Sequence, residues 1–237
     1  MSQQNQQQRP KNVLDDPKFK LNAPALPNGQ DRPSLQPGYA KNNPYIMVRT
    51  GVPNDKDHGR IRAGLDTVAF YRVLEMIEEA CNAPDGTNYY MENKNKPFIN
   101  GARSKDLLVE TKIIVGKDKE GRVFISVLSY DTARPKIIFH FGQQYYHQVV
   151  EKDGTPVSEG IASIVTARAW VRSIRDVFGA VASANYVHRT MDQGGGNNNN
   201  RGGGNGGGFN GGNRGNGGGG YQRQNDNDFG SGDDLPF

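Results

Sequence analysis

What this chain has little of narrows the reading first. Among its 237 residues there is one cysteine, Cys81, which excludes an internal disulfide framework and a Cys-x-x-Cys metal site. The four histidines, His58, His140, His147 and His188, show no HxxxH-type ligand spacing, and neither a Walker lysine motif nor a GxSxG elbow is present. Glu75, Glu78 and Glu79 cluster, but such a run on a helix reads as a solvated face. No metal, cofactor or catalytic residue is therefore expected. Hydrophobic residues are 34% of the chain and mean hydropathy is −0.76, too low for a chain folded along its whole length. No apolar run reaches the length of a membrane span, and Met1-Ser2-Gln3-Gln4-Asn5 opens without the apolar core of a secretory signal. These absences predict a cytoplasmic protein, with Cys81 a small buried residue in a reducing compartment.

What is present is unevenly spread. From Met191 onward lie three arginines (Arg201, Arg214, Arg223) and five aspartates (Asp192, Asp226, Asp228, Asp233, Asp234). Setting these aside from totals of 29 basic and 25 acidic residues leaves about 26 and about 20 in the body, an excess that suits a polyanionic partner.

Residues 1–43, rich in Gln, Asn and Pro, read as a disordered arm. Residues 44–190 read as the folded domain. Pro44 to Arg49 and Arg60 to Leu65 are strand candidates. A helix follows from Asp66, a good N-cap, with Phe70, Val73, Leu74, Ile77 and Cys81 on one face. Residues 88–106, broken by Pro97 and Gly101, read as a basic loop carrying aromatic rings. Thr111–Val115 and Arg122–Leu128 flank the turn Gly116–Gly121 as a hairpin, with Val123, Ile125 and Val127 toward the core and Arg122, Phe124, Ser126 and Leu128 opposite. Lys136–Phe141 reads as a further strand. A long helix spans about 160–187, with Trp170 inside its apolar stripe and so read as core. Residues 191–232, holding about 18 of the 31 glycines, read as a low-complexity disordered linker.

Single-strand binding needs cations to follow phosphates and rings to stack on bases. The body supplies Tyr45, Arg49, Arg60, Arg62, Lys94, Lys96, Arg103, Lys112, Arg122, Phe124, Tyr130, Arg134 and Lys136 as candidates, with Tyr89, Tyr90, Tyr145 and Tyr146 as further rings. Ile61–Glu75 also lines up with Ile137–Glu151, each read as a strand, a turn residue and a short helix. That pattern resembles the strand-then-helix ending of the Whirly and transcriptional-coactivator type of single-strand binder. The expected fold is thus α+β, a twisted antiparallel sheet with packed helices of that type. An oligonucleotide-binding barrel (OB-fold) is the alternative.

The last five residues, Asp233-Asp234-Leu235-Pro236-Phe237, set two carboxylates before an apolar hook. They resemble the acidic C-terminal tip of bacterial and phage single-stranded DNA-binding proteins. The resemblance implies a non-catalytic protein that coats single-stranded DNA, self-associates, and recruits replication, recombination and repair proteins through this tip. An RNA-binding protein with a Gly/Arg tail and a strand-annealing recombination protein are the other readings, the former because Arg201-Gly202-Gly203 and Arg214-Gly215 resemble such tails.

Overall fold

The computed structural model describes residues 12–96, 98–99, 102–142 and 146–188, with backbone alone for 98, 99, 102 and 103. Every element named below lies within Met1–Val187, the first of the two units into which the chain divides. In chain order these are β1 (Leu21–Asn22), β2 (Ser34–Ala40), β3 (Asn43–Arg49), the one-turn α1 (Lys56–Gly59), β4 (Arg60–Gly64) and α2 (Thr67–Asn82). Then come β5 (Asn88–Asn95), β6 (Phe98–Ile99), β7 (Ala102–Arg103), β8 (Leu108–Lys117), β9 (Val123–Ser129), β10 (Phe139–His140) and α3 (Glu159–Ala184).

The strands form two antiparallel four-stranded sheets, ordered β1-β2-β3-β4 and β10-β9-β8-β5, with β6 and β7 a separate small hairpin. The fold is α+β, as expected, but two sheets replace the single one anticipated. They do not close into a barrel, so the OB alternative does not describe this architecture.

Alternation decides which face of each sheet is buried. In β3, Pro44, Ile46 and Val48 point inward while Tyr45, Met47 and Arg49 point outward. In β9, Val123, Ile125 and Val127 are buried, as the period-two pattern predicts. Helix α2 starts where the Asp66 carboxylate accepts a hydrogen bond from the Ala69 N–H at 2.6 Å. It buries Phe70, Val73, Leu74, Ile77 and Cys81. At its other end the buried Lys117 ammonium donates to the carbonyls of Cys81 (3.2 Å) and Ala83 (2.7 Å), a cation placed on the negative end of the helix. Helix α3 is tied to β9 by Ser163, whose hydroxyl accepts from the Val123 N–H at 2.9 Å. Between the helices Phe178 meets Phe70, Tyr71 and Tyr39 at ring-centroid distances of 4.8, 5.4 and 6.0 Å.

Trp170 is core, packed against Phe141 at 5.4 Å. Its indole N–H donates to the Phe19 carbonyl at 3.0 Å, which introduces the main correction to the sequence reading. Residues 12–43 of the supposed disordered arm are folded. Leu14, Leu21, Leu35 and Tyr39 are buried in the same core as the helices, and β2 pairs along its full length with β3. The apolar residues are few, but each reaches a pocket made by distant segments, and together they offset the entropy of ordering the arm.

Three further differences matter. Residues 88–95 form β5 rather than a loop, because pairing with β8 satisfies a backbone that composition alone left unassigned. The strand expected over 136–141 shrinks to Phe139–His140. In the internal repeat the strand halves match but the helix halves do not. Helix α2 follows β4 after Leu65 and Asp66, whereas residues 141–158 separate β10 from α3, with no helix among those described.

The register of the sheets extends the repeat. Gly38, Tyr45 and Gly64 stand in one row across β2, β3 and β4. Gly116, Phe124 and His140 stand in one row across β8, β9 and β10. The next pairs, Ile46 with Ala63 and Ile125 with Phe139, keep the same offset. Each half of the unit is therefore a four-strand meander followed by a helix, in matching register.

Candidate nucleic-acid interface

The helices and core occupy the inner faces, so candidate binding groups collect on the outer faces. On the first sheet the outward positions of β3 and β4 carry Tyr45, Met47, Arg49, Arg60 and Arg62. The Tyr45 ring lies across Gly38, where an added Cβ would come within 2.3 Å of its Cζ. The Arg62 guanidinium sits over the same ring, 4.2 Å from its centroid. Gly38 is thus required small, because only a bare backbone lets the ring lie down on the sheet. Exposed Arg49 and Arg60 make no ion pair with a described carboxylate. Beside Arg49 opens a polar cleft of about 530 Å³, whose lining includes Lys20, Arg32, Arg49, His58 and one carboxylate, Asp31.

The outer face of the second sheet carries Tyr90, Glu92 and Lys94 from β5, Lys112 from β8, and Phe124 and Leu128 from β9. Tyr90 is 59% exposed, and the Lys112 ammonium stands 5.3 Å from its ring centroid. Glu92 bridges Lys94 at 3.1 Å and Lys112 at 3.5 Å, and the Lys94 hydrogen bond holds its carboxyl below the usual range. A groove of about 330 Å³ runs past Lys112, Leu128, Tyr130 and Lys136, with Tyr130 itself 72% exposed.

At the end of this face the charges are already used. Arg122 bonds Asp118 at 2.8 Å and lies 3.5 Å from both Glu120 and Glu159. Asp118 also contacts His140 Nε2 at 3.1 Å. Burial pushes the Asp118 carboxyl up, but hydrogen bonds from the Arg122 backbone N–H and guanidinium outweigh it and leave the group below its ordinary value.

The sequence-derived candidates thus fall into separate sets. Tyr45, Arg49, Arg60 and Arg62 share the first face; Lys94, Lys112, Phe124, Tyr130 and Lys136 belong to the second, with Arg122 neutralised at its end. Lys96 is exposed on the connection after β5. Arg134 must be corrected. It is 7% exposed and donates to both Asp55 oxygens (3.2 and 2.9 Å), to the Arg60 carbonyl (2.9 Å) and to the Lys56 carbonyl (2.7 Å). It pins the β9–β10 connection to the β3–β4 connection, with no donor turned to solvent-borne phosphate. The Arg103 side chain, Tyr145, residues 191–232 and the tip Asp233–Phe237 lie outside the described residues.

The sequence reading missed Lys20 and Arg32, because both lie in the supposed arm. A period-two signal was there: Leu35, Pro37 and Tyr39 are the inward positions of β2. Pro37 and Gly38 masked it, since each normally argues against a strand. Tyr89, weighed as a stacking ring, instead packs against the core.

Among the described residues no group of three His, Cys, Asp or Glu is placed to hold a metal ion, and no helix is long and apolar enough to cross a membrane. Comparison with protein-family models, curated proteins and solved structures finds no match to this chain.

Proposed function

We propose that this protein binds single-stranded DNA along the outer faces of its sheets, with little sequence preference and no catalytic step. The observation that carries this reading is a ring paired with a cation on each outer face: Arg62 over Tyr45 at 4.2 Å, and Lys112 over Tyr90 at 5.3 Å. Rings offer bases a sequence-tolerant stacking surface worth about 1–3 kcal/mol each, and adjacent cations follow the phosphates. The two strand-meander-and-helix halves suit a Whirly-like single-strand binder better than a barrel. In this reading the protein acts as a homo-oligomer in replication, recombination and repair. Asp233, Asp234, Leu235, Pro236 and Phe237 would recruit partner proteins, the carboxylates meeting a basic rim and the apolar hook a shallow pocket.

Fluorescence-anisotropy titration of the full chain with labelled oligo-dT, matched duplex and matched RNA, at several salt concentrations, tests the reading. Tight oligo-dT binding that weakens with salt, with duplex far behind, is the expected result. Equal binding of all three, vanishing at moderate salt, would reduce the faces to a merely basic surface. Preference for RNA would transfer the assignment to an RNA-binding protein.

A further inference from the structure

We infer that the chain carries two separate base-stacking platforms, one in each half, and that each takes its own short single strand. The inference rests on the single-strand reading above and adds the number and unequal character of its sites. Its ground is the matched row across the sheets: Gly38–Tyr45–Gly64 in the first half and Gly116–Phe124–His140 in the second.

In both rows an aromatic residue on the third strand of the meander faces a glycine on the second. An added Cβ would meet the Tyr45 ring at Gly38, and would come within 3.0 Å of the Phe124 ring tip at Gly116. Beside each ring the fourth strand supplies a nitrogen-bearing group, Arg62 two residues from the row in the first half and His140 within the row in the second. Arg62 stacks over Tyr45 at 4.2 Å, and His140 stands beside Phe124 at 6.0 Å with the rings inclined by 67°. In the first half the Tyr45 ring lies between Gly38 and the Arg62 guanidinium, so the flat surface offered to a base is the guanidinium stacked on its ring. In the second it is the Phe124 ring held against Gly116.

The platforms differ in charge. The first has exposed Arg49 and Arg60 beside it and the cleft containing Lys20 and Arg32. The second has Arg122 surrounded by Asp118, Glu120 and Glu159, and His140 on Asp118. Phosphates therefore gain more at the first platform, and its affinity falls more steeply with salt.

The test is calorimetry and native mass spectrometry of the full chain with an oligo-dT of about six nucleotides, a length within the range one such site covers. Two oligonucleotides per chain are expected, the tighter losing affinity steeply with salt and the weaker less steeply. Tyr45→Leu and Phe124→Leu keep apolar bulk while removing the ring, and thermal melts check that each folds. Each should weaken one site by about 5- to 150-fold and leave the other unchanged. One oligonucleotide per chain, whether or not Phe124→Leu weakens it, overturns the inference while leaving single-strand binding intact. Failure of long oligo-dT to bind at all overturns both.

Discussion

The two halves of the folded unit share a layout and differ in what joins it. In the first, Lys41 and Asn42 turn β2 into β3 with both residues left-handed (φ 50° and 65°), and two residues carry β4 into α2. In the second, residues 118–122 turn β8 into β9 and residues 141–158 carry β10 into α3, both longer than their counterparts, while 130–138 is no longer than its counterpart 50–59. The short connections leave the first outer face to its own arginines. In the second half, the 118–122 turn brings Asp118 and Glu120 onto Arg122, and the 130–138 connection carries the buried Arg134 onto Asp55 of the first half. A repeated fold can thus keep its stacking geometry while its electrostatics diverge, because geometry follows from strand register and charge from the loops.

The sharpest way to break the comparison is at the Arg134 tie between the halves. Asp55→Ala leaves a buried guanidinium without its carboxylate and should lower stability by about 3–5 kcal/mol in urea unfolding. The same pair predicts a pH dependence. Burial pushes the Asp55 carboxyl up, but hydrogen bonds from Arg134 and Thr50 outweigh it and hold the folded value below the ordinary one. A depressed carboxylate contributes stability that is fully present above its unfolded value near pH 4 and is lost as pH falls through the folded value. Melting temperatures should drop below about pH 4, and the drop should be smaller in Asp55→Asn, whose residue no longer titrates.

Next come the two platform glycines, which should respond differently. At Gly116 an added Cβ meets Asn88 Oδ1 at 2.3 Å and the Thr87 carbonyl at 2.6 Å, so Gly116→Ala should cost about 1–3 kcal/mol of stability. At Gly38 the obstruction is the movable end of Tyr45. Gly38→Ala should therefore lift the ring and weaken oligo-dT binding as Tyr45→Leu does, with the melt little changed. Equal destabilisation by both would remove the distinction.

Smaller effects sit at the helix starts. Asp66→Ala and Ser158→Ala each remove an N-cap and should cost about 1 kcal/mol in denaturant titration. The smallest effect concerns salt. Arg49→Gln should reduce the slope of log affinity against log salt by about one. Arg122→Gln should leave that slope unchanged, because Asp118 already occupies its charge.

Much of this could be read along the chain. Strands β3, β4, β8 and β9 and helices α2 and α3 announced themselves through alternation, heptad-like spacing and the Asp66 cap, all of which act within a few residues. The inward placing of Val123, Ile125 and Val127 followed from the same alternation. Strand β2 escaped because Pro37 and Gly38 argue against a strand; Pro37 is tolerated since β1 begins only at Leu21, opposite Leu35, and leaves the edge at Pro37 open.

By itself, then, the sequence determined the local elements, the face on which each side chain emerges, and the polar composition of the ends, since these depend on periodicity and capping. Only the tertiary structure decided that residues 12–43 fold, that Arg134 is buried and Arg49 exposed, and that Gly38 and Gly116 stand beneath matching rings. Those outcomes rest on partners far apart in the chain: Trp170 with Phe19, Arg134 with Asp55, Phe124 with Gly116. A buried charge or a docked arm is favourable only once its distant partner is in place, and no local pattern encodes that meeting.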